Sequence, residues 1–280
     1  MHKPVLLNES IDGLDLADGK TFVDATYGAG GHTREALKRF PNLKAITIDQ
    51  DPIVGANITG NFRDIDTFLG DVNPDAILLD LGISSDQLES SGKGFSFQKD
   101  EPLDMRMGDS GPTAADILNS WDEHAIELIL RGFGEERFSK KISSEIVASR
   151  KIRPFETTTD LIEAIREVKP KHFRDKIHPA TKTFQALRIA VNSELDALEN
   201  GLQKGFDILA PHGRFVVISF HSLEDRIVKN FFREKVRGGE AIFPNLSTSL
   251  KAGKPIIPTD KEVKDNPRSR SAKLRVVEKL

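Results

Sequence analysis

Three short apolar runs, each closed by an acid, punctuate the first eighty positions: Thr21 to Asp24, Ala45 to Asp49 and Ala76 to Asp80. Runs of this length bounded by polar residues read as buried strands. Between the first two, His32 to Phe40 carries helical spacing, so the chain opens strand–helix–strand, the unit of a parallel sheet. A further strand is expected at Arg214 to Ser219, after a long helix near Thr181 to Leu209. Ser222 and Asp225 stand at capping-box spacing and start a helix to Lys235.

Between about Leu81 and Pro179 the pattern changes. A Gly- and Ser-rich loop, Gly82 to Gly111, is followed by helix signals only. Thr113 with Asp116, and Ser120 with Glu123, look like helix N-caps. Glu135 to Arg150 repeats apolar residues at Phe138, Ile142, Ile146 and Val147, and Asp160 to Val168 adds another helix. Gly134-Glu135-Glu136-Arg137 reads as a helix start, its acids favoured by the N-terminal dipole, and Trp121 as core. An all-helical block inside an α/β pattern is an insertion. The expected division is a core of 1–101 with 180–280, interrupted by a helical domain over 102–179.

Composition narrows the chemistry. The 280 residues are 38 % hydrophobic and 30 % charged, with no cysteine. Disulfides, thiolate nucleophiles, Cys-ligated zinc and iron–sulfur clusters are therefore excluded. So are two routes on a nucleobase, zinc deamination through thiolates and C5 methylation through a cysteine adduct. No apolar run approaches the roughly 18 residues of a spanning helix, and no signal segment opens the chain, so a cytoplasmic protein without membrane contact is expected. No metal site is expected. The net charge of −3 conceals an acidic first half and two basic zones, 139–182 and 261–280. A basic run is usually a solvated face, and it points to a polyanion only where another site on the chain wants one.

Asp24-Ala25-Thr26-Tyr27-Gly28-Ala29-Gly30-Gly31-His32 follows a strand and opens a helix. Glycines there let a ligand approach the backbone. Asp49 ends the next strand 19 residues after Gly30, the offset of a carboxylate that accepts both ribose hydroxyls. The pattern is G-x-G-G-H rather than the pyrophosphate cradle G-x-G-x-x-G, which favours S-adenosylmethionine over NAD. Asp80 to Gln87 follows another strand and opens at the same carboxyl edge, as a polar ligand-binding turn or an N-cap array. Phe62 stands between the Asp49 and Asp80 strands, placed either to stack on adenine or to fill core.

With these residues in view the chain resembles the bacterial 16S rRNA cytosine-N4 methyltransferase family. The matching stretches run from His2-Lys3-Pro4-Val5-Leu6-Leu7 through Asp24 to His32, Asp80 to Gln87 and Gly94-Phe95-Ser96-Phe97. They continue through Pro102-Leu103-Asp104-Met105-Arg106-Met107, Gly134 to Arg137 and His178 to Arg188. Ile218 to Arg226 and Asn266 to Arg275 complete the series.

The resemblance implies an α/β fold, a class I methyltransferase (Rossmann-like) doubly wound sheet with an inserted all-helical domain. It implies S-adenosyl-L-methionine as cofactor, held by Gly30, Gly31, His32, Asp49, Phe62, Asp80 and Gln87, to which the glycine loop adds Gly28. The substrate it implies is 16S rRNA within the small ribosomal subunit. The chain is shorter between Asp51 and Gly60 than members that fit a helix and strand there, and it carries Lys93 and Lys182 where the family usually has Arg.

An exocyclic amine needs no covalent enzyme intermediate, and the missing cysteine fits that chemistry. Ser84 and His221 are the candidate catalytic acceptors; each reads equally as a helix-capping residue. Arg106, Lys182, Arg188, Arg268 and Arg270 are the candidate RNA contacts, and Met105 and Met107 flank the first of these as core or site. Two other classes remain: an NAD-dependent Rossmann dehydrogenase, and a non-catalytic RNA-binding scaffold. Oligomeric state is not legible.

Overall fold

The computed structural model describes residues 3–82, 91–108, 110–169, 178–246 and 253–280. The chain divides into two compact units, Met1–Gly82 with Leu195–Leu280, and Ile83–Glu194.

The first unit is built on seven strands: β1 (Thr21–Asp24), β2 (Lys44–Asp49), β3 (Ile58–Thr59), β4 (Ala76–Asp80), β5 (Arg214–Ser219), β6 (Ala241–Ile242) and β7 (Lys273–Lys279). Their order is β3-β2-β1-β4-β5-β7-β6. The first five pair in parallel, and β7 enters antiparallel beside β5. Strand order reverses at β1, so β1 and β4 open a crevice at the carboxyl edge, where doubly wound sheets bind ligands.

Alternate residues supply the two faces, as strand geometry requires. Phe22, Ala76, Leu78, Val216, Ile218, Leu274 and Val276 face a cluster containing α1 (Leu7–Leu14) and Ala36 of α2 (Gly31–Arg39). Val23, Ile48, Ile77, Leu79, Phe215, Val217 and Val277 face the opposite cluster. That side is filled by α3 (Ile65–Leu69) and by two helices from the second half of the chain, Glu194–Ile208 and Ser222–Arg237.

The second unit holds α4 (Ala114–Ser120), α5 (Glu123–Gly134), α6 (Ser139–Ser149), α7 (Thr158–Val168) and α8 (Thr181–Asn192). The later helices are α9 (Glu194–Ile208), α10 (Ser222–Arg237) and α11 (Asp260–Asp265). Ile117, Leu118, Ile126, Leu130, Ile142, Ile146, Leu161, Ile165, Phe184 and Leu187 form the second unit's core with Phe95, Leu103 and Met105. The helical unit is thus wider than 102–179. Met105 N–H bonds the Lys93 carbonyl, and the Asn192 amide bonds the Met105 carbonyl, which draws both flanks into it.

Several local expectations are corrected. The long helix over Thr181 to Leu209 is two helices, because Ser193 adopts φ 47 and ψ 43, the left-handed conformation that ends a helix. Gly134-Glu135-Glu136-Arg137 is a helix end rather than a start: Glu135 caps α5 at φ 48. Asp122 is the N-cap of α5, while the Ser120 hydroxyl donates back to the Asp116 carbonyl. Trp121 ends α4 and is 38 % exposed, outside the core. His221, one residue before the expected Ser222, caps α10 in a box with Glu224. The segment between Asp51 and Gly60, read as short from the sequence, holds a single 3₁₀ turn, Pro52–Val54, and the two-residue β3.

Glu136 and Lys169 are 3 % and 7 % exposed and meet at 2.8 Å, with Lys169 also donating to the Pro179 carbonyl. Removing one partner strands a buried charge, at about 3–5 kcal/mol. Glu136→Ala is expected to lower urea-unfolding stability by that amount. Glu136→Leu with Lys169→Met is expected to recover most of it; equal losses in the two variants would show that packing, not charge, is the source.

Candidate active site

The β1–α2 turn carries the glycine loop. Its backbone is tied into the sheet by Ala25 N–H to the Leu78 carbonyl and Tyr27 N–H to the Ile48 carbonyl, both 3.0 Å. Gly28 and Gly30 take φ 49 and φ 69, angles that side chains rarely adopt. A Cβ on Gly28 would meet nothing closer than a carbonyl 3.9 Å away, so that face is open. A Cβ on Gly30 would stand 2.6 Å from the Tyr27 ring, and one on Gly31 2.1 Å from Pro4 Cγ. Gly30 is the N-cap of α2 and offers the helix's first amides no capping side chain.

Three carboxyls gather at this edge. Asp49 Oδ2 accepts the Gly28 amide at 2.7 Å, and its Oδ1 accepts the Asp51 amide at 2.9 Å. Desolvation by burial raises its pKa above the usual carboxylate value. Asp24 is 1 % exposed and accepts the Thr33 hydroxyl at 2.6 Å; burial pushes its pKa up to about 6. Asp80 lies beside them, its amide donating to Thr26 Oγ1 at 2.6 Å. Burial, then the charges of Asp24 and Glu224, raise Asp80 well above the carboxylate range. Asp80 Oδ1 is buried and has no hydrogen-bond partner among the described residues. Its Oδ2 faces His32 Nδ1 at 3.7 Å.

The His32 ring is buried and turned inward, with Nε2 3.1 Å from the Val5 carbonyl. A carbonyl only accepts, so Nε2 carries a proton in this contact. What His32 presents outward is backbone rather than ring. Phe62 opens a 3₁₀ turn and packs against α9 where Gly201 leaves room; a Cβ there would be 2.5 Å from its ring. It adjoins the apolar cluster under the sheet, the second of its two expected settings. Gln87 and Ser84 lie outside the described residues.

The structure gives His221 its capping role: Nδ1 accepts the Glu224 amide at 3.4 Å, and Glu224 Oε2 returns the contact to the Phe220 and His221 amides. In the helical unit, Arg106 makes a two-pronged pair with Asp104 at 2.7 and 2.8 Å, and Arg188 another with Glu194 at 2.7 and 2.8 Å. Lys182 donates to the Glu135 carbonyl at 3.0 Å. Arg268 and Arg270 sit exposed on a 3₁₀ turn, Pro267–Ser271, whereas Arg275 is buried against Asp225 at 2.8 Å. Sequence reasoning passed over Asp24 as a titrating group and over Tyr27, whose ring backs the loop. The run of apolar residues ending in Asp24 was the available signal for the first.

A doubly wound sheet with an antiparallel seventh strand, a glycine turn after β1 and an acid ending β2 define a class I methyltransferase. The chain belongs to the MraW methylase family, which it matches over residues 1–280. A "Ribosomal RNA small subunit methyltransferase H" of Pelobacter propionicus is 44 % identical over 310 residues, covering 100 % of this chain and 98 % of that one. The protein of the same name from Caulobacter vibrioides is 44 % identical, covering 98 % and 94 %. That from Deinococcus radiodurans is 46 % identical, covering 99 % and 89 %.

Two outcomes follow from this geometry. Gly31→Ala drives its methyl into Pro4, so affinity for S-adenosylhomocysteine is expected to fall at least tenfold while thermal unfolding stays cooperative; unchanged affinity would mean that the Pro4 segment yields freely. Asp24 keeps its proton up to about pH 6, where an unfolded aspartate has lost it near 3.8. The folded state therefore binds more protons in that window, and stability from this group, full below 3.8, is lost as pH rises through 6, by about 3 kcal/mol in all. Asp24→Asn is expected to flatten the fall in urea-unfolding free energy between pH 4 and 7 relative to the unmodified protein; parallel profiles would place the titration elsewhere.

Proposed function

We propose that this chain transfers a methyl group from S-adenosyl-L-methionine to the exocyclic N4 amine of a cytidine in the decoding region of 16S rRNA, on the small ribosomal subunit in the cytoplasm. The supporting observation is the full-length match to the methylase family and to relatives named for small-subunit rRNA. Among the described residues no helix is long and apolar enough to cross a membrane.

The residues at the carboxyl edge suit the cofactor. Asp49 offers acceptors for the ribose hydroxyls, Gly28 leaves room for close approach, and Asp80 Oδ1 is a buried acceptor awaiting a donor. Bound there, S-adenosylmethionine supplies a methyl group on a positively charged sulfur. The amine's lone pair is delocalised into the cytosine ring, so the chain's task is positional: to hold N4 in line with that methyl and to accept its hydrogens as the nitrogen becomes tetrahedral. Acceptors come from the Asp80 to Ser85 edge, with Ser84 and His221 as candidates. His221 would have to leave its cap for this role. Gln87 completes the cofactor contacts.

The helical unit is the substrate-recognition domain of this reading. The target base must be unstacked before its amine is reachable. Arg106, Lys182, Arg188, Arg268 and Arg270 supply cationic contacts to the phosphates around it.

The test is reconstitution. Small subunits from a strain lacking the protein are incubated with it and the methyl donor, and the 16S rRNA is digested and searched by mass spectrometry for one N4-methylated cytidine. One such nucleotide is expected, and Asp49→Ala is expected to raise the KM for S-adenosylmethionine about 10- to 100-fold, as loss of charged hydrogen bonds worth about 1.5–3 kcal/mol each requires. Methylation at another atom, or none in any subunit preparation, refutes the reading; a donor KM unmoved in Asp49→Ala refutes the cofactor placement.

A further inference from the structure

The start of α2 is held in place by residues from both ends of the chain. Pro4 occupies the space that a side chain on Gly31 would take, its Cγ 2.1 Å from where a Cβ would stand. Val5, next along, gives its carbonyl to His32 Nε2 at 3.1 Å. Leu6 then turns at φ 49 and ψ 39, a left-handed conformation that residues with a side chain rarely adopt, and becomes the N-cap of α1 without offering a side-chain bond. Such a conformation persists only where its surroundings fix it.

The fixing group is Glu262, on α11. Its Oε1 accepts the Leu6 amide at 2.7 Å across 256 positions of sequence. Asn266, which ends α11, donates from Nδ2 to the Lys3 carbonyl at 3.1 Å, and Lys3 Nζ stands 3.8 Å from Asp265. Thr259 caps α11 by accepting the Glu262 amide, which orients the helix that presents the carboxylate. Residues 3–6 are thus pinned by α11 on one side and press on Gly31 and His32 on the other.

We propose that Glu262 is a positioning residue for the cofactor: by capping the Leu6 amide it seats Pro4 and Val5 against the first turn of α2. This fixes both the line of the Gly31 to Thr33 amides and the Nε2-protonated tautomer of His32. The proposal rests on the glycine loop being the cofactor site, and it assigns that site a support drawn from the far end of the chain. Glu262 touches no reacting group. Its carboxylate is needed as an acceptor, not as a charge.

The test compares Glu262→Ala with Glu262→Gln in the full chain, using S-adenosylhomocysteine as the calorimetric probe. Glu262→Ala is expected to weaken that affinity, and to raise the KM for S-adenosylmethionine, roughly three- to tenfold. Its kcat and its KM for the small subunit should stay within about twofold. Glu262→Gln keeps an oxygen acceptor and should restore both constants. In ¹⁵N spectra the His32 ring should show one tautomer in the unmodified protein and a mixture in Glu262→Ala. Should Glu262→Ala fail to fold, Asn266→Ala, which loosens the other end, should shift the same constants about twofold. Unmodified affinity in Glu262→Ala overturns the proposal, as does equal impairment of Glu262→Gln or a parallel fall in kcat and rRNA affinity. Absence of any binding by the unmodified protein removes the cofactor reading itself, a result distinct from normal binding by the variant.

Discussion

The hydrogen bond from the Gly28 amide to Asp49 carries the carboxyl edge of the sheet, and the rest of the site is arranged around it. At 2.7 Å it ties the turn after β1 to the end of β2. The turn reaches that carboxylate because Gly28 lies at φ 49, and because the parallel register sets Asp24 beside Thr47, so both strands end at the same edge. A carboxylate already accepting two amides is fixed in direction. The lone pairs it keeps are therefore held in direction by backbone amides rather than by a flexible side chain.

That rigidity comes with an electrostatic cost. Asp24, Asp49 and Asp80 all ionise less readily than free carboxylates, chiefly through burial, with the charge of Asp49 adding to the rise at Asp24 and the charges of Asp24 and Glu224 to the rise at Asp80. Such a concentration of acid suits some ligands and not others. A ligand carrying hydrogen-bond donors finds acceptors here, one of them, Asp80 Oδ1, buried without a partner among the described residues.

The parts legible in sequence are those where one local signal decides the structure. β1, β4 and β5 lie where their apolar runs said, because a strand buried on both faces has no polar alternation to blur it. Thr113 and Asp116 made their capping box from contacts four residues long. Where tertiary contact overrides propensity, the sequence misleads. Ser193 breaks a helix that periodicity would continue, and Glu135, not a glycine, takes the left-handed position because Gly134 must let α8 approach, with the Lys182 carbonyl 2.5 Å from its would-be Cβ. The Glu262 cap was invisible for a different reason: an acid in a mixed charged run carries no mark of a partner at the other end of the chain.

The basic zones show why counting charge along a chain overstates what is available to a polyanion. In the tail, Arg275 is committed to Asp225 and Lys273 to the same carboxylate at 2.9 Å, while alternate residues Leu274 and Val276 face the core as strand β7 demands. Asp225 is opposed by burial but ends below the usual carboxylate range because those two cations outweigh it. Arg106 and Arg188 are each gripped by a carboxylate through two hydrogen bonds, so approach to a phosphate would begin from a partly neutralised, oriented guanidinium. Such groups contribute direction more than long-range attraction, which falls instead to exposed side chains such as Arg268, Arg270, Lys140, Lys141 and Lys151. Exposed cations thus differ from carboxylate-gripped ones in what they offer a polyanion, a division that counting charge along the chain does not show.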